Sequence, residues 1–250
     1  ASKGIYKCFG CGKGGNAVNF LMEQEGLSFP EALKNLAKRY NIEVEEKEPS
    51  PEDIKMRDQR ESMLILTQFA AEWYTKQLFE TDEGKRIGLS YFKERGFTEN
   101  TIRKYELGYS PAKRDAFTSA ALGKGYKIDY LSETGLTIVK DDRKFDRFAE
   151  RVMFPIHSLS GQVIAFGGRI MRKDTKMAKY LNSPESEIYH KSRVLYGIYQ
   201  ARKEITRHNQ CILVEGYTDV ISLSQSADEN VVDSSGTSLT PEQVKLSKRF

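Results

Sequence analysis

An apolar run, Cys211-Ile212-Leu213-Val214, ends on Glu215-Gly216 and passes into a helical pattern from about Thr218. A short apolar strand, Val231-Val232, follows. Then comes a helix opening, Thr240-Pro241-Glu242-Gln243, with a capping threonine, an early proline and a glutamine at N3. Strand, helix, strand, helix in that order argues a parallel sheet. Ligands of open parallel sheets bind outside the carboxyl ends of the strands, where Glu215 stands. A carboxylate there is placed to bind Mg²⁺ or to move a proton. Asp219 follows one helical turn later and can face the same cavity. Hard oxygen ligands of this kind suit Mg²⁺ held together with substrate phosphates. The plainer alternative is that Glu215 caps the helix and Asp219 is solvated.

Upstream, the pattern changes twice. From Gly135 it reads as strands: Leu136–Val139, Val152–Ile156 and Val163–Phe166, with a hairpin-like turn at Ser160-Gly161 and a helix near 197–207. Residues from about 54 to 134 read as helical. A long helix carries Met63, Leu66, Phe69, Ala70, Trp73, Tyr74 and Leu78, with Trp73 assigned to the core. A second, with Tyr91 and Phe92, stops at Gly96; Thr98 opens a third; Gly108–Pro111 is a break; another helix runs to Gly123. The first block has a strand over Ile5–Phe9, a Gly-rich turn, and helices capped by Asn16 and Ser28, the second with an apolar stripe of Leu33, Leu36, Ala37 and Tyr40. Between the blocks lies a run dense in charge and proline. The division is 1–45, a charged linker 46–60, then 61–208 and 209–250; the class is α+β joined to α/β. A chain of 250 residues is long enough to bury a core without disulfides.

Three further groups carry chemistry. Cys8-Phe9-Gly10-Cys11-Gly12 has the spacing of half a zinc ribbon, and equally that of a redox pair or two surface thiols. Basic residues interleave with aromatics at Arg143–Phe148 and Arg151, then around a Gly167-Gly168 turn at Arg169, Arg172 and Lys173, and on through Lys176, Lys179, Lys191 and Arg193. Such a stretch suits single-strand and phosphate contacts, or is a solvated basic face. Ser235-Gly236-Thr237 can offer N–H groups to an anion, although the helix cap at Thr240 explains much of that segment. Cys211 reads as core. Net charge is only +4, so clustering matters more than the total. No run is apolar and long enough to span a bilayer, no signal peptide opens the chain, and three cysteines make no even disulfide framework, which points to the cytoplasm.

Taken in order, the stretches Tyr6–Gly15, Asp146–Phe148, Arg151–Ile156, Ala165–Arg169, Lys179–Glu185, Val214–Asp219 and Ser235–Thr240 resemble the bacterial DNA primases of the DnaG type, over essentially the whole chain. The resemblance implies a partial zinc-ribbon-like N-terminal module, a helical plus mixed-sheet primase core and the start of a Toprim α/β sheet. It implies a nucleotidyltransferase that synthesises short RNA primers on single-stranded DNA from ribonucleoside triphosphates. Cys8 and Cys11 match the last two ligands of the family's zinc motif, the first two falling before Ala1. Arg147, Arg151, Arg169, Lys179, Asn182, Lys191 and Tyr196 fall in motifs that line the basic cleft, and Gly236 and Thr237 in the loop beside it. Glu215 and Asp219 match the first acidic motif, Glu215 holding Mg²⁺ or Mn²⁺; the second, a D-x-D, would follow Phe250. The chain is thus expected to be a fragment of a monomer at the replication fork. The replicative helicase would bind a domain beyond this sequence. Asp233 departs from the small apolar residue usual in the family. The competing readings are a Toprim nuclease or topoisomerase, and a module that only binds single strands.

Overall fold

The computed structural model describes residues 4–10, 14–25, 29–42, 50–172, 177–236 and 238–250. Cys11, Gly26, Ser28, Lys173, Lys176 and Thr237 therefore lie outside the described residues, as does much of the charged run. The chain forms two units, Ala1–Asp53 and Ile54–Phe250.

In the first unit β1 (Ile5–Lys7) pairs antiparallel with β2 (Gly14–Asn16). Asn16 caps α1 (Ala17–Glu25) as expected: its Oδ1 accepts the Asn19 N–H at 3.0 Å. On α2 (Phe29–Tyr40) the expected stripe is only partly covered, with Ala37 buried and Leu33 and Tyr40 exposed.

Helix α3 (Pro51–Glu80) begins inside the segment read as linker. Its local chemistry explains the difference. Ser50 Oγ accepts the Asp53 N–H at 3.1 Å, the Asp53 carboxylate accepts the Ser50 N–H at 3.0 Å, and proline occupies the first position. A capped first turn needs no apolar face, so periodicity is silent there. Farther along, α3 buries Leu66, Ala70, Ala71 and Tyr74. Trp73, assigned to the core, is partly buried against Phe117.

After α3 a π-helical turn (Gly84–Leu89) leads to α4 (Ser90–Glu94) and α5 (Glu99–Lys104), the latter capped by Thr98. The expected break at Gly108 is β3 (Gly108–Ser110), a strand of three buried residues, too short for alternation to register. Next come α6 (Ala116–Gly123), α7 (Ile128–Glu133), and the antiparallel pair β4 (Thr137–Lys140) and β5 (Arg143–Asp146). Buried Asp146 accepts the N–H groups of Phe117 and Thr118, both at 2.8 Å, tying β5 to the start of α6.

The central sheet is antiparallel, in the order β3-β6-β7-β8, from β6 (Arg151–His157), β7 (Val163–Ile170) and β8 (Tyr180–Asn182). All of β6 is buried, because both faces are covered. Met153 points into a cluster with Leu66, Tyr74 and Phe166. Its alternates Val152, Phe154 and Ile156 join Tyr91, Phe92, Tyr217 and Val220 on the other side. Gly167-Gly168, expected as a turn, lies within β7. Finally α8 (Ile198–His208) precedes β9 (Ile212–Val214), α9 (Tyr217–Gln225), β10 (Val231–Asp233) and α10 (Pro241–Ser247). Strands β9 and β10 are parallel, as the element order required, and Thr240 with Gln243 forms the capping box. Cys211 is partly buried against Leu195, Ile198 and Val232. No helix among the described residues is long and apolar enough to cross a membrane.

Candidate active site

The parallel register sets Val214 beside Asp233, so Glu215 emerges just past the end of β9. Gly216 is the N-cap of α9 and makes no side-chain cap bond, which removes the reading of Glu215 as a helix cap. Glu215, Asp219 and Asp233 line one cavity of about 310 Å³, with Tyr180, Asn182 and Gly236 on its walls. The sequence expectation that Glu215 and Asp219 share a cavity is what the geometry gives.

Asp233, a departure from the family pattern, forms part of the cavity. It is 1% exposed, and its Oδ1 accepts the Ser235 N–H at 2.8 Å. Burial raises its pKa to about 6; the Ser235 hydrogen bond and Lys191 oppose the rise, and the charge of Asp219 adds to it. The turn continues through Ser235 (φ 59°) and Gly236 (φ 78°), successive left-handed residues.

Among the described residues no three of His, Cys, Asp and Glu converge on one point. Glu215 and Asp219 offer two carboxylates to a shared cavity, the donor set with which Mg²⁺ is held when water and substrate phosphates complete its shell. Zinc differs. Cys8 is exposed just beyond β1 and Cys11 lies outside the described residues, so among the described residues of the first unit Cys8 is the single cysteine or histidine available to a tetrahedral set.

The basic residues divide into two kinds. Arg151, expected on the cleft, is 3% exposed. Its guanidinium donates to the carbonyls of Gly168 (3.1 Å), Ala178 (3.1 Å) and Lys179 (3.3 Å), so it braces the β7–β8 connection from inside. Tyr196 is likewise a correction: 1% exposed, it stacks on Tyr105 and meets Tyr217 edge-on at 4.6 Å. Arg151 is buried because β6 is covered on both faces, and Tyr196 because it bridges to Asp233 beneath the rings of Tyr105 and Tyr217; a basic or aromatic residue type does not reveal either. Arg147 is half-buried, and its Nη2 donates to the Asn182 carbonyl at 3.3 Å. Lys179 is exposed, and Arg169 and Lys191 are partly exposed.

The β7–β8 register sets Arg169 opposite Tyr180 and Gly167 opposite Asn182. Arg169, Tyr180 and Asn182 therefore share one face of the sheet. Asn182 joins that face to the cavity: its Oδ1 accepts the Tyr217 hydroxyl at 2.7 Å, and its Nδ2 donates to the Ser235 carbonyl at 3.4 Å. Tyr217, which sequence reasoning passed over, stacks on Phe154 at 5.2 Å. Its ring occupies the space left by Gly167, where a Cβ would lie 2.3 Å from Cε2. The glycine pair was the available signal: in a strand it marks the close approach of another group.

The chain matches the family models for the CHC2 zinc finger over residues 1–52, the DNA primase catalytic core N-terminal domain over 73–202 and the Toprim domain over 209–250. It is 42% identical to the DNA primase of Halalkalibacterium halodurans over 249 residues, covering 99% of this chain and 41% of that protein. The crystal structure of the Aquifex aeolicus primase zinc-binding and RNA polymerase domains superposes with a TM-score of 0.70 at 34% identity, over 100% of this chain and 58% of that one. The RNA polymerase domain of Mycobacterium tuberculosis primase, in complex with a double-stranded DNA oligomer with a 6-nucleotide overhang, gives a TM-score of 0.71 at 33% identity, over 76% of this chain and 59% of that one. The chain thus spans well under two thirds of the length of these relatives. Its mixed core, acidic strand-end cavity and ordered motifs have one explanation: the chain belongs to the bacterial DnaG-type DNA primases.

Proposed function

We propose that this chain supplies the metal-holding and strand-holding parts of a DNA-dependent RNA polymerase that makes short primers on single-stranded DNA. One observation carries the reading: the carboxylate cavity and the basic, aromatic sheet face adjoin, and Asn182 is bonded into both. Glu215 and Asp219 would hold Mg²⁺ or Mn²⁺, which supplies neutralisation of triphosphate charge and activation of an attacking hydroxyl.

The chain's own residues do the rest. Arg169, Lys179 and Lys191 attract the phosphates of template and incoming ribonucleotide. Arg147, partly desolvated, orients the Asn182 backbone. Asn182 and Tyr217 fix the cavity wall against the sheet, so that a triphosphate and a template base are presented in one frame. Gly236 edges the same cavity, and Thr237, next in sequence, is assigned a phosphate contact. Arg151 and Tyr196 act from within, by holding β8 and the α/β segment in place. Cys8 and Cys11 are two of the ligands of a structural zinc. A monomeric working state at the replication fork and a helicase contact made through other segments belong to the same proposal. That the related M. tuberculosis domain was crystallised with overhang DNA supports the template assignment.

The test is ribonucleotide incorporation on a single-stranded template by the intact parent protein. Glu215→Gln removes the charge at constant shape, and product should fall to background while template binding persists. Unchanged synthesis by that variant would refute the metal assignment; no RNA from the unmodified protein, with DNA binding intact, would refute the polymerase reading.

A further inference from the structure

Gln243, at the third position of α10, is fully buried and uses both polar atoms of its side chain. Its Oε1 accepts the Thr240 N–H at 3.1 Å and completes the helix cap. Its Nε2 donates away from the helix, to the carbonyls of Lys191 (3.1 Å) and Val194 (2.9 Å). The cap alone does not require this. A glutamate at N3 closes a capping box as a glutamine does, but only an amide both accepts from the cap and donates elsewhere. Thr240 repeats the pattern: its hydroxyl accepts the Gln243 N–H at 3.1 Å and donates to the Ser192 carbonyl at 2.6 Å. The capped end of α10 therefore holds the carbonyls of Lys191, Ser192 and Val194.

These carbonyls belong to one short stretch, a 3-10 turn over Lys191–Arg193 and the residue after it. Its other side is tied as well, because the Glu185 carboxylate accepts the Lys191 N–H at 3.0 Å. The turn itself offers the Lys191 carbonyl only a Val194 N–H at 3.5 Å, the outer limit of a hydrogen bond. Side chains from outside the turn thus fix the Lys191 backbone. The chain then runs to Tyr196, which exchanges two backbone hydrogen bonds with Asp233 on the cavity wall. Lys191 stands close enough to that wall for its charge to oppose the rise in the Asp233 pKa. From the other side, the wall at Gly236 leads along the chain into Thr240. One buried amide and one hydroxyl clasp the loop that edges the cavity to the turn that carries a cation.

We propose that Gln243, seconded by Thr240, is a positioning residue for the incoming ribonucleoside triphosphate: it sets Lys191 beside the carboxylate cavity, where the ammonium meets the triphosphate. The inference rests on the phosphate role given to Lys191 above. A turn released from the clasp gains backbone freedom that substrate binding must remove, which weakens attraction without altering the chemical step.

The test is steady-state ribonucleotide incorporation by the intact parent protein on saturating single-stranded template, with KM and kcat for ribonucleoside triphosphate measured for Gln243→Met, Lys191→Met and the double variant. Saturating template keeps strand affinity out of KM. Lys191→Met loses a charged contact and should raise KM on the order of tenfold or more. Gln243→Met should raise it roughly threefold to tenfold with kcat within about twofold, the signature of lost binding. The double variant should be no worse than Lys191→Met alone, because the amide acts through the lysine. Thr240→Val should shift KM in the same direction and Thr240→Ser should restore it; this pair carries the cycle with Lys191→Met if Gln243→Met fails to fold. Penalties that multiply in the double variant, or a fall in kcat at unchanged KM, would show that Gln243 serves only the fold, and the Lys191 reading would stand. If Lys191→Met itself leaves KM unchanged, both fall.

Discussion

Replacing Gly167 by alanine adds one methyl group and should loosen the whole seam between sheet and α/β segment. The new Cβ would stand 2.3 Å from Tyr217 Cε2 and 2.6 Å from Cζ, so one of them must move. Strand β7 is held on both sides by β6 and β8, so the ring yields. Overpacking of this kind costs about 1–3 kcal/mol. A displaced ring also gives up the 2.7 Å bond to Asn182, worth about another 1 kcal/mol. Together, about 2–4 kcal/mol in a unit of this size should lower the melting temperature by roughly 5–15 °C. Thermal unfolding followed by circular dichroism reads this directly. The same substitution in a Tyr217→Leu background should cost much less, because a shorter side chain leaves room for the methyl, and the difference between the two penalties isolates the contact. Primer synthesis should fall with the single change, since Glu215 lies two residues before the displaced ring. Melting within about 1 °C of the unmodified protein, or an equal penalty in both backgrounds, would refute the packing argument.

Arg151→Leu should lower stability by about 3 kcal/mol, because the buried Gly168 carbonyl and the partly covered carbonyls of Ala178 and Lys179 lose their donor, and should leave the salt slope of DNA binding unchanged; a lowered slope with no loss of stability would make Arg151 a strand contact after all. Asp233→Asn should change the pH dependence of stability. The folded protein holds the Asp233 proton more tightly than the unfolded chain, with a pKa raised to about 6 by burial, so this stabilisation is complete below the ordinary carboxylate value and is lost as pH rises through about 6. In metal-free buffer the variant should therefore melt above the unmodified protein at about pH 8, by roughly 2–3 kcal/mol, and like it near pH 4; equal melting at both would show that Asp233 is not held protonated.

Where a residue's fate is decided within a few positions of chain, the sequence was readable. Asn16, Thr98 and Thr240 cap the helices they precede, and the strand–helix order around Glu215 yields a parallel pair ending on an acidic cavity. Where the fate depends on which face is covered, it was not. Arg151 and Lys179 look alike as basic residues of one stretch, yet one is sealed by backbone carbonyls and the other is exposed. Tyr196 sits in a motif associated with the cleft and is buried behind Tyr217. Gly167-Gly168 has turn composition, but it marks where Tyr217 and Phe148 press against a strand. Pro51 to Arg60 carries no apolar periodicity and is helical all the same, because its capped end faces water.

The segment after Asn209 is sewn to what precedes it by bonds that ignore the break between the two family models. Tyr196 and Asp233 exchange backbone bonds at 2.8 and 3.1 Å, and the buried Gln243 amide donates to the carbonyls of Lys191 and Val194. A segment borrowed from a relative would have to arrive with a ring that fits the Gly167 hollow and an amide that reaches the Lys191 turn. Recombination at that boundary should therefore succeed only when the β8 edge and the 190s turn travel with it, so that these two stretches are inherited together as one trait.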